Sequence, residues 1–251
     1  MTEPLLRVVD VHVHYGRLAA VRGISLTVAP GEVVCLVGPN GAGKSTTLLT
    51  IAGVLTPTQG VVTFGQTTIS GLSPEAVARL GLSMVPEGRR IFSSLTVEEN
   101  LRIGTYGRTD RHAVEREVSR IFEEFPILAS RRTVRAGKLS GGEQQQLAIG
   151  RALLTGAKLI LVDEPSLGLA PMMVERVYGI LRDLRDKRGV TLLIVEESSE
   201  RAVDAADRIY VLRRGLIELE GTSEELADGA RLHEAYFGFG AAGASAEAPQ
   251  Q

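Results

Sequence analysis

The residues best suited to chemistry form a glycine-rich stretch, GPNGAGKST at residues 38–46. This stretch fits the pattern G-x-x-x-x-G-K-[ST] and lies between an apolar run and a segment with helical spacing. In this pattern, glycines let backbone N–H groups face phosphates, the lysine reaches the β and γ phosphates, and the next hydroxyl ligates Mg²⁺. The sequence therefore predicts a nucleotide site made of Gly38, Pro39, Asn40, Gly41, Ala42, Gly43, Lys44, Ser45 and Thr46.

A pair of acids could complete this site. The apolar run LILV at residues 159–162 ends directly in Asp163 and Glu164. We expect Asp163 to hold Mg²⁺ through water and Glu164 to polarise the attacking water as a general base. The alternative is that the two acids are only solvated at the end of a strand.

Buried parallel strands must bring these two segments together. The segments VVCLVG at residues 33–38, KLILVD at 158–163 and VTLLIV at 190–195 are typical of such strands. Near the N-terminus the apolar residues alternate instead, which predicts a half-exposed strand with Val9, Val11 and Val13 on one face.

The middle of the chain has helical spacing. Thr96 and Glu99 form a T-x-x-E capping box for a helix through Tyr106, and Ser140 opens a second such helix through Leu154. The sequence therefore predicts an α/β fold of the P-loop NTPase (RecA-like) class. A parallel-sheet core would carry an N-terminal antiparallel β part and an inserted helical subdomain. The expected domain spans residues 5–238 with helices over about 90–155, and residues 239–251 form a small, polar tail predicted to be disordered.

A second glycine-containing motif, LSGGEQQQLAIGRAL, begins at Leu139. A capping box explains Ser140 and Glu143, but not Gly141 and Gly142, which weaken a helix start. Backbone N–H groups, a hydroxyl and the helix dipole together suit an anion.

With these motifs, the sequence resembles the ABC ATPases over residues 5–236. LSGGE matches the signature of that family, which implies that Leu139, Ser140, Gly141, Gly142 and Glu143 contact ATP held by a second subunit in a head-to-tail dimer. The resemblance also implies that Tyr15 stacks on adenine and that SLGLAP, from Ser166, links the two nucleotide sites.

The segment VPEGRRIFSSLTVEENL, residues 85–101, is similar to the ATP-binding subunits of branched-chain amino-acid importers of the LivF type. Most family members have glutamine where this chain has Glu87, an acid that could ligate Mg²⁺ and is the next candidate for the base. We expect Arg89, Arg90, Ile91 and Phe92 to receive a helix from a membrane subunit. The alternative for this segment is a surface turn followed by an ordinary helix cap.

This resemblance implies a set of partners and a location. The subunit would bind ATP and Mg²⁺, pair with a similar but non-identical ATPase, and act on two membrane permeases at the cytoplasmic face of the membrane. A solute-binding protein would act only indirectly. The related importers of urea and short amides stay open as an alternative.

Composition is compatible with this interpretation. A net charge of −2 with scattered arginines argues against nucleic acid as a partner. The single cysteine, Cys35, has no disulfide partner, and no apolar run approaches the ~18 residues of a membrane span. The N-terminus has no signal-peptide pattern, so we expect a soluble, cytoplasmic chain.

One feature departs from the family pattern. The run TLLIV ends in Glu196 and Glu197, and Glu197 stands where ABC ATPases usually carry a histidine, and these importers often a glutamine. A carboxylate there would repel phosphate, so we expect Glu197 to turn away, to pair with a cation, or to hold a proton. Glu196 is expected to face away from ATP. A regulatory half with little hydrolysis of its own is therefore the rival function.

Overall fold

The computed structural model describes residues 3–227 and 229–237. Two sheets and their covering helices pack around two apolar clusters. The strands are β1 Leu6–Tyr15, β2 Leu18–Val28, β3 Val33–Val37, β4 Gln59–Phe64, β5 Thr67–Thr68, β6 Leu82–Val85, β7 Leu159–Asp163, β8 Thr191–Glu196, β9 Arg208–Arg213 and β10 Leu216–Thr222. The helices are α1 Lys44–Ile51, α2 Pro74–Arg79, α3 Val97–Ile103, α4 Arg111–Glu124, α5 Pro126–Ser130, α6 Gly141–Leu153, α7 Pro171–Arg188, α8 Ser199–Ala205 and α9 Ala230–Phe237.

The larger sheet brings the predicted site together. Its strand order is β10-β9-β3-β8-β7-β6, and every neighbouring pair is parallel except β10 with β9. Val37, at the end of β3, pairs with Glu196, and Asp163, at the end of β7, pairs with Val195. Carboxyl ends of parallel strands form the ligand-binding edge of such sheets. The segments after β3, β7 and β8 therefore start side by side.

The smaller sheet is antiparallel in the order β2-β1-β4-β5. The prediction that Val9 shares a face with Val11 and Val13 is wrong. A bulge between Val8 and Val11 shifts the register, so that Val8 is buried and Val9 is 46 % exposed. A Cβ at Gly60 would lie 2.1 Å from the carbonyl oxygen of Asp10 in this bulge, so the neighbouring strand needs a glycine there.

Helices α3 to α6 lie between β6 and β7 along the chain. Both predicted capping boxes are present, at Thr96 and at Ser140. The first helix is shorter than predicted, because α3 ends at Ile103 and Tyr106 lies in a turn with 95 % of its surface exposed. The predicted α/β fold class, with its antiparallel part and helical insert, is confirmed.

Two predictions concern the C-terminal end of the chain. The domain end at residue 238 and the tail over 239–251 lie outside the described residues. Within residues 3–227 and 229–237, no helix combines the length and apolar character that crossing a membrane requires.

Candidate nucleotide-binding site

A cavity of about 250 Å³ lies at the carboxyl edge of the larger sheet. It combines most of the glycine-rich loop with acids from three other segments, as the strand order requires. Its lining residues are Asn40, Gly41, Ala42, Gly43, Lys44, Ser45, Thr46, Glu87, Glu164, Leu167 and Glu197.

The ammonium of Lys44 is the cation of this cavity and is only 5 % exposed. Its Nζ donates hydrogen bonds to the carbonyl oxygens of Gly38 at 2.7 Å and Pro39 at 3.3 Å. It also pairs with Glu164 Oε1 at 3.3 Å. A buried ammonium needs such partners. A phosphate entering the loop therefore competes with Glu164 for Lys44.

Ser45 and Asp163 form the predicted metal-binding pair. Ser45 Oγ donates a hydrogen bond to Asp163 Oδ1 at 3.1 Å, and Asp163 is 4 % exposed. Burial raises the pKa of Asp163, the hydrogen bond from Ser45 opposes this rise, and the nearby charge of Glu87 adds to it. One hydroxyl and one or two carboxylates, open to phosphate oxygens, are the ligands that Mg²⁺ accepts. These residues therefore fit the ion.

Glu164 is held in an unusual backbone conformation. Its φ is +48°, although it is not a glycine, and its N–H donates to the carbonyl oxygen of Val195 at 3.0 Å. Such strain concentrates at functional sites. Burial raises the pKa of the carboxyl, and Lys44 acts in the opposite direction. A base with a raised pKa is better matched to proton transfer near neutral pH.

The two acids at the end of β8 point in different directions. Glu196 is fully buried and accepts a hydrogen bond from Tyr178 on α7, and Arg201 on α8 lies 3.8 Å from its Oε2. It faces away from the glycine-rich loop, as expected. Glu197 is exposed, lines the cavity, and accepts a hydrogen bond from Asn40 Nδ2 at 3.1 Å.

Two of the three alternatives expected for Glu197 do not hold in the described residues, and the third, that it holds a proton, stays a prediction. Its side chain turns toward the loop, and its partner is the neutral amide of Asn40 instead of a cation. No ion pair involves Glu197 among residues 3–227 and 229–237. A carboxylate therefore occupies the wall of the phosphate cavity.

The signature motif lies apart from this cavity, because none of Leu139 to Glu143 lines it. Ser140 caps α6 and Glu143 closes the capping box. Packing also favours glycine at position 142, because a Cβ there would lie 2.1 Å from Cε of Met173 on α7. The chain thus presents a phosphate cavity and, elsewhere, a helix start whose first backbone N–H groups have no partner within the helical ladder.

Arg89 lies beside this helix start, not on the outer surface. Its Nη1 donates to Gln144 Oε1 at 3.4 Å and its Nη2 to the carbonyl oxygen of Leu167 at 3.4 Å. Arg89 is therefore half-buried and directed toward α6, and its contact with a membrane subunit stays a prediction. Arg90 is exposed, Phe92 is 49 % exposed, and Ile91 is half-buried against the larger core cluster.

Other site residues differ in how they reach the cavity. Tyr15 lies at the end of β1, is 47 % exposed and does not line the cavity, so its stacking role stays a prediction. Leu167, in the SLGLAP segment, also lines the cavity, and no sequence pattern predicted this position. Ser166, in the same segment, is held by Arg201 Nη1 at 2.9 Å.

Comparisons with known proteins agree with this geometry. The family model described as ABC transporter matches residues 21–167. The chain is 43 % identical to the high-affinity branched-chain amino acid transport ATP-binding protein BraG of Pseudomonas aeruginosa, covering 91 % of this chain and 97 % of that protein. It is 34 % identical to the probable branched-chain amino acid transport ATP-binding protein LivF of Archaeoglobus fulgidus, covering 89 % and 94 %.

Solved structures give the same result. The crystal structure of the ADP conformation of an ATP-binding cassette of an ABC transporter superposes with a TM-score of 0.81 at 29 % identity, covering 95 % of this chain and 100 % of that one. A dimeric post-hydrolysis cassette bound to ADP and Pi gives 0.75 at 25 % identity, covering 87 % and 98 %. The resemblance inferred from the motifs is confirmed, and the chain belongs to the ABC transporter ATP-binding family and is an ATPase of that family.

Proposed function

We propose that this chain is the ATP-hydrolysing subunit of an importer for branched-chain amino acids. The observation that carries the proposal is that one chain holds a phosphate cavity and, apart from it, an LSGGE helix start. Each is half of a nucleotide site, which supports a head-to-tail pair of ATPase subunits. The identity of 43 % to BraG over 91 % of the chain supports the solute class.

In the cis half-site, residues 38–46 cradle the triphosphate and Lys44 is redirected from Glu164 to the β and γ phosphates. Glu164 is then free to accept a proton from the attacking water. Ser45, Asp163 and Glu87 would hold Mg²⁺, and the ion, when bound, offsets charge on the phosphates. Leu139 to Glu143 would contact the nucleotide of the partner subunit, and Tyr15 the adenine.

The partners in this proposal are a second, similar ATPase and two membrane permeases at the cytoplasmic face of the membrane. A solute-binding protein delivers the amino acid without touching this chain, and nucleic acid has no part. Arg90 and Phe92 offer an exposed cation and aromatic ring directly after Glu87. A permease helix bound to Arg90 and Phe92 would therefore transmit its movement to Glu87 in the cavity. Charge reversal of Arg90 should weaken assembly and leave the ATP affinity of the free chain intact.

The test is uptake by the whole transporter in proteoliposomes, with MgATP enclosed and the binding protein outside. We expect labelled leucine to accumulate with the wild-type chain and not with Lys44→Ala. Accumulation of urea or acetamide in place of leucine would identify the related urea and short-amide importer. ATP hydrolysis without uptake of any of these solutes would contradict the proposal.

A second candidate is a regulatory half with low intrinsic hydrolysis. The observation that favours it is the carboxylate of Glu197 on the cavity wall, bonded to the phosphate loop through Asn40 at 3.1 Å. In that case the partner's site, completed by this chain's LSGGE helix, would carry most of the turnover.

A further inference from the structure

The nucleotide cavity of this chain is poor in positive charge. Glu87, Glu164 and Glu197 line it, and Lys44 is its single lining cation among the described residues. Lys44 is itself paired with Glu164 at 3.3 Å. A triphosphate bound here needs further cations, and a bound Mg²⁺ offsets only part of this excess. In a head-to-tail pair, further cations for this cavity would come from the partner's facing surface, and this chain's own signature helix start would face the phosphates held by the partner.

Arg89 lies beside this chain's own signature helix start. A Cβ built on Gly141 would be 3.1 Å from Arg89 Nη2, so the guanidinium touches the first residue of α6. The backbone N–H groups at this helix start point the same way as the positive end of its dipole. Arg89 therefore adds a full charge to a surface that already suits an anion.

Among the residues that the structure describes, the Arg89 guanidinium has no strong partner. Its hydrogen bonds go to a side-chain amide and a backbone carbonyl, both at 3.4 Å, the long end of the range for such bonds. Over residues 3–227 and 229–237, no carboxylate forms an ion pair with it. By contrast, Nε of Arg131 lies 3.9 Å from Oε1 of Glu143. A half-buried arginine without a carboxylate is available to an incoming anion.

The backbone holds Arg89 in this place at some cost. Arg89 and Arg90 have φ values of +66° and +44°, in the left-handed region that side chains disfavour. Arg151, on α6, secures both residues by donating from Nη2 to their carbonyl oxygens at 3.3 and 2.8 Å. The signature helix thus fixes the strained turn that carries Arg89. Strain of this kind is retained where a site needs it.

We propose that Arg89 contacts the γ-phosphate of the ATP held by the partner subunit, as a cation supplied in trans beside the signature helix. This inference rests on the proposed function, because it requires the head-to-tail pair. Planar guanidinium groups bind phosphate oxygens through two N–H groups at once, which a lysine cannot reproduce. Arg89 would then stabilise charge that develops as the γ-phosphate leaves.

The experiment uses the purified full transporter, with both ATPases and both permeases. Arg89→Gln keeps an amide for the two long hydrogen bonds and removes the charge, and Arg89→Lys keeps the charge. Arg116→Gln, an exposed arginine of α4, is the matched control. ATPase rate is measured together with vanadate trapping of a photoreactive, labelled ATP, and the label is assigned to each ATPase subunit after gel separation.

We expect Arg89→Gln to lower the turnover by about 10²-fold, as for loss of one transition-state donor. Label trapped in the partner subunit should fall with it. The affinity of the isolated chain for MgATP should not change, Arg89→Lys should retain more activity than Arg89→Gln, and Arg116→Gln should match the wild type.

Two results would overturn the assignment. If Arg89→Gln works as well as Arg89→Lys or better, the residue acts through its hydrogen bonds and not its charge. If label is lost only from this chain, Arg89 serves the cis site. Both results come from nucleotide trapping and ATP turnover, so they do not depend on uptake. A transporter that traps nucleotide without importing amino acids would contradict only the proposed import function.

Discussion

Replacing Glu197 by glutamine should strengthen ATP binding and accelerate hydrolysis at this chain's own site. The substitution keeps the size of the side chain and removes one negative charge from the cavity wall. Glutamine can also donate an N–H to the γ-phosphate, which the carboxylate cannot do. Glu197→His should act in the same direction, because histidine is the residue that the family usually places there.

The magnitude follows from the position of the carboxylate. Its Oε1 lies 3.1 Å from Nδ2 of Asn40, which belongs to the phosphate loop. A phosphate cradled by that loop would come within about 4 Å, where one unit of charge is repelled by about 1 kcal/mol in bulk water and about 4 kcal/mol at an effective dielectric of 20. Glu197 is exposed in the free chain, so the lower figure applies there.

Affinity and rate should therefore respond differently. About 1 kcal/mol corresponds to roughly a five-fold gain in MgATP affinity for the isolated Glu197→Gln chain. In the closed dimer, where water is excluded, the substitution removes a larger repulsion between residue 197 and the phosphate. The new N–H donor is in addition worth about 10² to 10³ in rate. Turnover at this site should rise at least about ten-fold even if only part of that donor effect is realised.

The assay isolates this chain's site by silencing the other one. The partner carries an alanine in place of its phosphate-loop lysine, and ATPase rate is measured in the full transporter. Isolated-chain affinity is measured separately by titration calorimetry with a non-hydrolysable MgATP analogue. The reasoning is refuted if neither variant changes the rate while Glu164→Gln nearly abolishes it, since this site was then already efficient with Glu197 in place.

Three further predictions concern the nucleotide cavity and the signature helix. Lys44→Ala should abolish MgATP binding or turnover, because backbone N–H groups alone do not neutralise the β and γ phosphates, and wild-type binding and hydrolysis would contradict the assignment of the loop. Glu164→Gln should bind ATP and prolong the dimer but hydrolyse slowly, and since burial raises the pKa of Glu164, the wild-type rate should begin to fall with decreasing pH above the ordinary glutamate range near 4.5. Gly142→Ala should lower stability by about 1 kcal/mol, because the added Cβ displaces the flexible Met173 side chain, and Met173→Ala should restore the melting temperature of that variant but not its turnover.

Sequence was sufficient where a function depends on local spacing. The phosphate loop, the acids after β7 and the two capping boxes each need only a short pattern and the element that it begins or ends. Ser140 and Glu143, three residues apart, meet because every helix start has that geometry. The parallel order of β3, β8 and β7 then places the phosphate loop and the acids at the carboxyl edge of the larger sheet.

Sequence was insufficient where a long-range contact decides a side chain's direction. Val9 is exposed because a bulge at Asp10, opposite Gly60, shifts the strand register by one residue, and alternation is the only local signal there. The inward direction of Arg89 depends on Arg151, 62 residues away, which holds the carbonyl oxygen of Arg89. No local rule connects these positions.

Glu197 and Arg89 of this chain change the charge of two different nucleotide sites in the dimer. Glu197 adds a negative charge to the site that this chain binds with its own loop, and Arg89 adds a positive charge beside the helix that this chain offers to its partner. Both features leave the cis site weaker and the trans site stronger, so they bias turnover in one direction. If the partner carries a neutral donor in place of Glu197, the two sites of the dimer cannot be equivalent. Reversing the bias should then require both Glu197→Gln in this chain and an arginine equivalent to Arg89 in the partner.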